Sequence, residues 1–551
     1  MARHPYSYSI IVAACCIISG ASFQWETNPL SRHDLSSAEK LIGLSFSDAK
    51  RDSMIDGLKD QLKNYEHIRA VPLANSVPPA IMFNPIPAGM KFETSRKPFK
   101  TGDPGVVELP AHRDEMAFYT IGQLARLMKE RKVTSTQLTR MYLERLKKYG
   151  PKLECVVTLT EELAMRQAAQ ADEELAAGTY RGPLHGIPYG AKDLLATKGI
   201  RTTWGSVPYK EQVIDEDATV IKRLRAAGAV LVAKLTMGEL AWGDVWFGGK
   251  TRNPWNTQQG SSGSSAGSAA ATAAGLVAFA IGTETWGSIV SPSNVCATTG
   301  LRPTYGRVSR SGAMALSWSM DKIGPICRSV EDCAIVFNAL YGPDSVDQTL
   351  YDLPFNYDPA VDLGKLRIGF IKSAFDSVKD KTNDQAMFAV LTKLGANLVP
   401  IELPKYPIND LSIILSAEAG AAFDELTRSG KDDLLVRQIK DAWPNVFRLS
   451  RLIPAVEYLQ ANRVRYLVIQ DMARLLSSVD LYIVPPFEGD NLLLTNLTGH
   501  PCVVLPHGFS KDGMPTSVTF IGRLFDEATL LAVANRYQRA TEFHLKHPKL
   551  D

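Results

Sequence analysis

Gly260-Ser261-Ser262-Gly263-Ser264-Ser265-Ala266-Gly267-Ser268-Ala269-Ala270-Ala271-Thr272-Ala273-Ala274-Gly275 reads, in isolation, as a flexible Gly/Ser linker. Its surroundings argue otherwise. Asn253-Pro254-Trp255 precedes it, and the apolar run Leu276 to Ile281 follows with the character of a buried strand. Small residues on every face of 268–275 let a helix pack closely against its neighbours, which a linker has no need to do. Working outward, short apolar runs alternate with helical stretches: Ile187 to Ala191 as strand, Ala218 to Ala227 as helix, Ala229 to Ala233 as strand. That alternation predicts an α/β fold with a large mixed or parallel central sheet covered by helices on both faces.

Composition fits a large soluble enzyme body. The chain has 551 residues, 45% of them apolar and 22% charged, enough to bury a substantial core. A net charge of +3, with Lys and Arg interspersed among Asp and Glu, lacks the concentrated basic face that nucleic-acid binding requires. Seven cysteines are present; Cys15 and Cys16 sit in the N-terminal apolar stretch, and the other five are odd in number and far apart, which is no disulfide framework. Neither CxxC nor HExxH occurs, so no metal site and no cofactor is expected.

The N-terminus carries Arg3 and His4, an apolar stretch from Ser9 to Ile18, and the small residues Ser19-Gly20-Ala21. This reads as an export signal over residues 1–21, giving a periplasmic or extracellular protein, because the apolar run is short of the roughly 20 residues that span a bilayer. Val12-Ala13-Ala14-Cys15 offers a lipoprotein processing site as the runner-up. Residues 22–115 form an accessory segment, charged and helical from Ser36 to Tyr65 and Pro-rich from Pro72 to Pro110. Two helices follow between Thr120 and Gly150, the second opened by a Thr134/Gln137 capping box. Helical sequence continues to Ala177, with Gly178 as its stop. A strand is predicted at Leu366 to Ile371 after an acidic, Pro-containing joint at 340–365, and a last α/β stretch runs from Leu481 onward.

Three segments can carry chemistry. In the Ser-rich stretch, a phosphate-binding loop is excluded by the missing Lys-Ser/Thr ending. Gly263-Ser264-Ser265-Ala266-Gly267 matches the nucleophile elbow G-x-S-x-G in letters, but no strand precedes it. The second segment, Ile281-Gly282-Thr283-Glu284-Thr285-Trp286-Gly287-Ser288-Ile289, reads as a turn at the end of the apolar run, with Ser291-Pro292 capping a short helix that ends near Gly300. Such a turn can aim several backbone N–H groups at an oxyanion beside Ser288. In the third, His185-Gly186-Ile187-Pro188-Tyr189-Gly190-Ala191-Lys192-Asp193, a lysine ends an apolar strand. Solvated, it would be a strand end; buried, it would be a neutral amine able to accept a proton.

Together these segments resemble the amidase signature family. The likeness extends through Asp217-Ala218-Thr219, Met237-Gly238-Glu239-Leu240-Ala241, Thr251-Arg252-Asn253-Pro254-Trp255, Gly300-Leu301-Arg302-Pro303-Thr304, Asp321-Lys322-Ile323-Gly324-Pro325 and Asn496-Leu497-Thr498-Gly499-His500-Pro501. It covers residues 116–551, the expected catalytic domain. The resemblance implies Ser288 as nucleophile, Ser264, behind a cis peptide bond, as intermediary, and Lys192 as base, with the backbone N–H groups of Thr285, Trp286, Gly287 and Ser288 as the oxyanion hole. It implies a hydrolase cleaving amide C–N bonds through an acyl-enzyme, acting on a small-molecule or peptide amide such as a C-terminal peptide amide, an aryl acylamide or a fatty acid amide.

This chain departs from the family pattern at the nucleophile turn, where Glu284 and Trp286 stand in place of Asp and Gly, and Ser262 and Ala266 occupy positions where glycine is common. Trp286 therefore has either negative φ or a strained glycine-like backbone. Alternative readings are an esterase or carbamate hydrolase with the same relay, the glutamine-hydrolysing subunit of a tRNA amidotransferase, and a non-catalytic binding protein that keeps the fold. Oligomeric state is left open.

Overall fold

The computed structural model describes residues 30–550, so the expected export signal, with Cys15 and Cys16, lies outside the described residues. The described chain divides into two compact units at Leu73/Ala74. The first holds two helices, Arg32–Ile42 and Asp48–Arg69. Ser31 and Asp34 form a capping box at the start of the first, and Gly43, with φ +67°, ends it. The two are tied by Arg51, whose guanidinium holds Glu39 at 2.7 Å.

The second unit is built on one large sheet. Its strands are numbered here β1 Val156–Leu159, β2 Pro188–Lys192, β3 Val230–Leu235, β4 Phe279–Glu284, β5 Thr299–Arg302, β6 Lys322–Cys327, β7 Arg367–Ile371, β8 Asn397–Ile401, β9 Leu481–Val484, β10 Cys502–Phe509 and β11 Pro515–Gly522. They run in the order β1-β3-β2-β4-β6-β5-β10-β11-β9-β7-β8. Parallel pairs β3/β2/β4 and β9/β7/β8 flank an antiparallel centre, so the sheet is mixed. Successive residues enter different cores, as a pleated strand covered on both faces requires. Leu231, Phe279 and Ile281 join one cluster, whereas Val230, Val232 and Ala280 join another with Ala270 and Ala271 of the helix below. At the far end Leu481 and Ile483 face one cluster, and Tyr482 and Val484 face another.

The stretch that first resembled a linker is the helix Ala266–Ala273, every residue of it buried. A Cβ on Gly267 would lie 2.5 Å from Cys155 O and Thr236 N, so only glycine allows the helix this close to the sheet. Helices Ile121–Lys129 and Ser135–Leu153 match the expected pair, with capping boxes at Thr120/Gln123 and Thr134/Gln137. Strand β1 interrupts the expected helical run before Glu161–Ala176; it is a four-residue edge strand with no apolar alternation to signal it.

Two boundaries differ from the sequence reading. Leu276 to Ala278 is a turn, and β4 starts only at Phe279 and runs on through Gly282, Thr283 and Glu284, which were expected in the turn. Register explains the extension: Lys322, Ile323 and Gly324 of β6 pair with Glu284, Thr283 and Gly282. The following helix is Val290–Cys296, with Ser291 and Pro292 inside its first turn rather than capping it, and Gly300 already lies in β5.

The Pro-rich part of the accessory segment, from Ala74 on, belongs to the second unit. It has no helix or strand up to the short turn at Arg113–Phe118 and is pinned by aromatic contacts. Phe83 meets Tyr305 edge-on at 5.0 Å, and Phe92 meets Phe525 at 5.0 Å. The five described cysteines are all buried free thiols.

Candidate active site

Lys192 ends β2, a strand bonded on both sides by parallel neighbours, and its side chain is wholly buried beneath them. Its Nζ lies 2.8 Å from Ser264 Oγ, 2.8 Å from Thr283 Oγ1 and 3.2 Å from Ser265 Oγ. No carboxylate is among these partners. Burial therefore outweighs the opposing charges of Asp321 and Glu284 and pulls the amine down to about 7. An amine at that value is neutral in a large fraction of molecules near neutral pH and can take up a proton.

Ser264 follows a cis peptide bond from Gly263, as the resemblance implied. Gly263 packs so closely that a Cβ there would stand 1.8 Å from Gly243 O. Ser262, two residues before Ser264, carries φ +56°, a left-handed backbone that explains why glycine suits the position. Asp244 Oδ2 accepts the Ser262 N–H at 3.1 Å and holds this bend. Ala266 simply begins the buried helix and needs no glycine. Ser265 joins the two halves of the site: its N–H donates to Ser288 O at 3.1 Å and its Oγ to Thr283 O at 3.1 Å.

Ser288 is buried in the turn between β4 and the helix Val290–Cys296. Its Oγ makes no hydrogen bond to another described residue, and neither do the N–H groups of Thr285, Trp286, Gly287 and Ser288. Four donors converge on one short turn without a protein acceptor, which is the arrangement an oxyanion requires. Gly287 takes the left-handed conformation at φ +84°, so Trp286 is spared it; of the two backbones the sequence allowed, negative φ is the one present. The indole is 42% exposed and stands at the surface of the turn rather than filling the space over Ser288.

Glu284 anchors that turn. Its Oε2 accepts the N–H groups of Ile289 and Val290 at 2.8 and 2.9 Å, and its Oε1 accepts Arg302 Nη1 at 2.7 Å and Asn496 Nδ2 at 2.8 Å. Burial alone would raise this carboxyl, but Arg302 and the donated hydrogen bonds hold it at about 2. The permanent anion keeps the backbone just after Ser288 in place. Asp321 performs the same service at the other end: its Oδ1 accepts Thr285 Oγ1 at 2.5 Å. Arg302, Asp321 and Asn496 stood in the blocks that carried the resemblance, but nothing in sequence linked them to Glu284 or Thr285. Thr283 and Ser265 carried no signal of their own, since a hydroxyl beside a buried amine is visible only in space.

An amidase family profile matches residues 137–531, and the chain therefore belongs to the amidase family. Among characterised relatives, a glutamyl-tRNA(Gln) amidotransferase subunit from Methylococcus capsulatus is 37% identical over 478 residues, covering 78% of this chain and 98% of its own. Among solved structures, a peptide amidase from Stenotrophomonas maltophilia superposes with TM-score 0.71 at 29% identity, over 80% of this chain and all of its own. The corresponding glutamyl-tRNA(Gln) amidotransferase subunit from Thermotoga maritima superposes with TM-score 0.68 at 26% identity, over 81% and 100%.

Proposed function

We propose that this amidase-family enzyme cleaves amide C–N bonds through an acyl-enzyme on Ser288, with Ser264 and Lys192 as its proton relay. The observation that carries the reading is the 2.8 Å contact between Ser264 Oγ and a buried Lys192 that has no carboxylate partner. Ser288 Oγ attacks the carbonyl carbon while its proton passes through Ser264 to Lys192 Nζ. The developing oxyanion is received by the free N–H groups of residues 285–288, each worth about 3 kcal/mol in such sites. As the C–N bond breaks, the proton returns through Ser264 to the departing nitrogen, which otherwise leaves poorly. Water then attacks the acyl ester, gives its proton to the same relay, and releases the carboxylic acid with Ser288 restored.

Two fates for the released amine separate the finer readings. In a stand-alone hydrolase acting on a small or peptide amide it diffuses away; the fold match to the peptide amidase supports this. The second reading is the glutamine-hydrolysing subunit of an amidotransferase, in which ammonia passes to partner subunits. It is favoured by 34–37% identity to several glutamyl-tRNA(Gln) amidotransferase subunits over nearly their whole length. Export through residues 1–21 accompanies the first reading and is incompatible with service to a tRNA-bound partner. Ammonia release by the purified chain, from C-terminal peptide amides and from glutamine in parallel, discriminates them. Ser288-dependent turnover of peptide amides supports the stand-alone enzyme. Turnover of glutamine alone, with a mature N-terminus still beginning at Met1, supports the amidotransferase reading.

A further inference from the structure

The arm that precedes the catalytic body touches the site at a distance. From Ala315 to Ser319 the backbone belongs to no strand, yet this loop leads directly into Asp321, which holds Thr285 of the oxyanion turn. A loop with no sheet partner needs its backbone groups satisfied by something else. Asn75 supplies that: its Oδ1 accepts the Ala315 N–H at 2.7 Å, and its Nδ2 donates to Ala315 O at 2.9 Å and to Ala422 O at 3.3 Å. One side-chain amide thus pairs with a peptide as a neighbouring strand would. The next two N–H groups along the loop, of Leu316 and Ser317, donate to Asp321 Oδ2 at 2.8 and 3.0 Å. Asn75, Ala315, Leu316, Asp321 and Thr285 form one continuous chain of short contacts.

A second arm residue reaches the same loop independently. The buried guanidinium of Arg465 donates to Ser319 Oγ at 2.8 Å and to Ser319 O at 2.9 Å, and it lies 3.6 Å from the ring centroid of Phe83, which covers it. Both arm residues lie ahead of the segment matched by the family profile. We propose that Asn75, supported by Phe83, is a positioning residue that presets the oxyanion turn through the 315–321 loop, making the arm a working part of the catalytic unit. The proposal rests on the reading of Ser288 as nucleophile.

The test compares full-length wild type with Asn75→Ala, Asn75→Asp, Phe83→Leu, Asp321→Ala, the Asn75→Ala/Asp321→Ala double variant, and Ser76→Ala as the control on the same arm. Steady-state kinetics on the amide that wild type turns over best is combined with hydrogen exchange at the amides of Ala315, Leu316 and Ser317. A defect that acts only as charge develops lowers kcat and leaves KM in place; for Asn75→Ala the expected fall is about tenfold with KM within about twofold. Asn75→Asp keeps the acceptor and loses the donor, so it falls between, and Phe83→Leu lowers kcat in the same direction. Because Asn75 acts through Asp321, the double variant is no slower than Asp321→Ala alone. Wild-type kcat in Asn75→Ala, or fully multiplicative losses in the double variant, overturns the proposal. Should wild type show no Ser288-dependent turnover, the hydrolase reading fails by itself, and the clamp stands or falls on exchange: faster exchange at 315–317 in Asn75→Ala supports it, unchanged exchange overturns it.

Discussion

Lys192 and Lys234 sit on adjacent parallel strands, one register step apart, and both are entirely buried. Burial pulls both amines down. What differs is the company each keeps. Lys234 Nζ lies 3.2 Å from Asp193 Oδ1 and donates to Thr202 Oγ1 at 2.8 Å, while Asp193 in turn accepts the Thr203 N–H at 2.8 Å. Lys192 is surrounded by the hydroxyls of Ser264, Ser265 and Thr283, and the nearest carboxylates act on it only through space. A lysine held by a carboxylate is a structural cation, since the pair keeps its proton in place. A lysine held by hydroxyls alone can lose its proton and serve as a base. Adjacent strands thus carry the same residue in opposite roles, and the choice is made by one missing acid.

The largest expected effect tests the roles directly. Lys192→Met lowers kcat/KM about 10³-fold, the loss typical of a general base, while Lys234→Met keeps kcat within a few-fold in the molecules that remain folded. Equal losses in the two variants would erase the distinction. Stability reverses the order: Lys234→Met strands Asp193 as a buried unpaired charge and lowers unfolding free energy by about 3–5 kcal/mol in denaturant titration. Lys192→Met removes a buried amine that has no ion-pair partner, and its midpoint is unchanged or raised.

The pH profile sharpens the contrast. Below about 7 Lys192 is protonated and cannot act as base, so kcat/KM falls about tenfold per unit as pH drops beneath that value and is flat above it. The same depression sets the sign for stability. The unfolded lysine binds a proton up to its ordinary value near 10.5, whereas the folded one has lost it from about 7, so the unfolded state carries more protons in that window and Lys192's contribution to stability rises with pH across it. Lys192→Met removes both the acid limb and this increment. Smallest of all, Trp286→Gly changes KM by less than about tenfold and leaves the limb in place, because the indole is exposed beside the turn and the left-handed conformation already belongs to Gly287.

Much of this was legible in the residues. The alternation of strand and helix around 187–233 announced the covered mixed sheet, and the small residues of 266–273 announced a helix pressed against it rather than a linker. Lys192, Ser264 and Ser288 could be named because family-like blocks surround each. What escaped was anything that depends on a partner distant in sequence. Strand β4 runs to Glu284 because β6 lies beside it, and no local pattern in Gly282-Thr283-Glu284 says so. The absence of a carboxylate near Lys192, its presence near Lys234, and the clamp from Asn75 to Ala315 are facts of the folded surroundings alone.

The central claim is that Ser288 is the nucleophile and that neutral Lys192 activates it. Its most direct test is the rate of labelling by a fluorophosphonate probe, mapped to the modified peptide and followed from pH 5 to pH 9 in wild type and Lys192→Met. The account predicts a single adduct on Ser288, formed at a rate that climbs through about pH 7 in wild type and is slow and without that limb in the variant. An adduct on another serine, or equal labelling of Ser288 in both proteins, would contradict it.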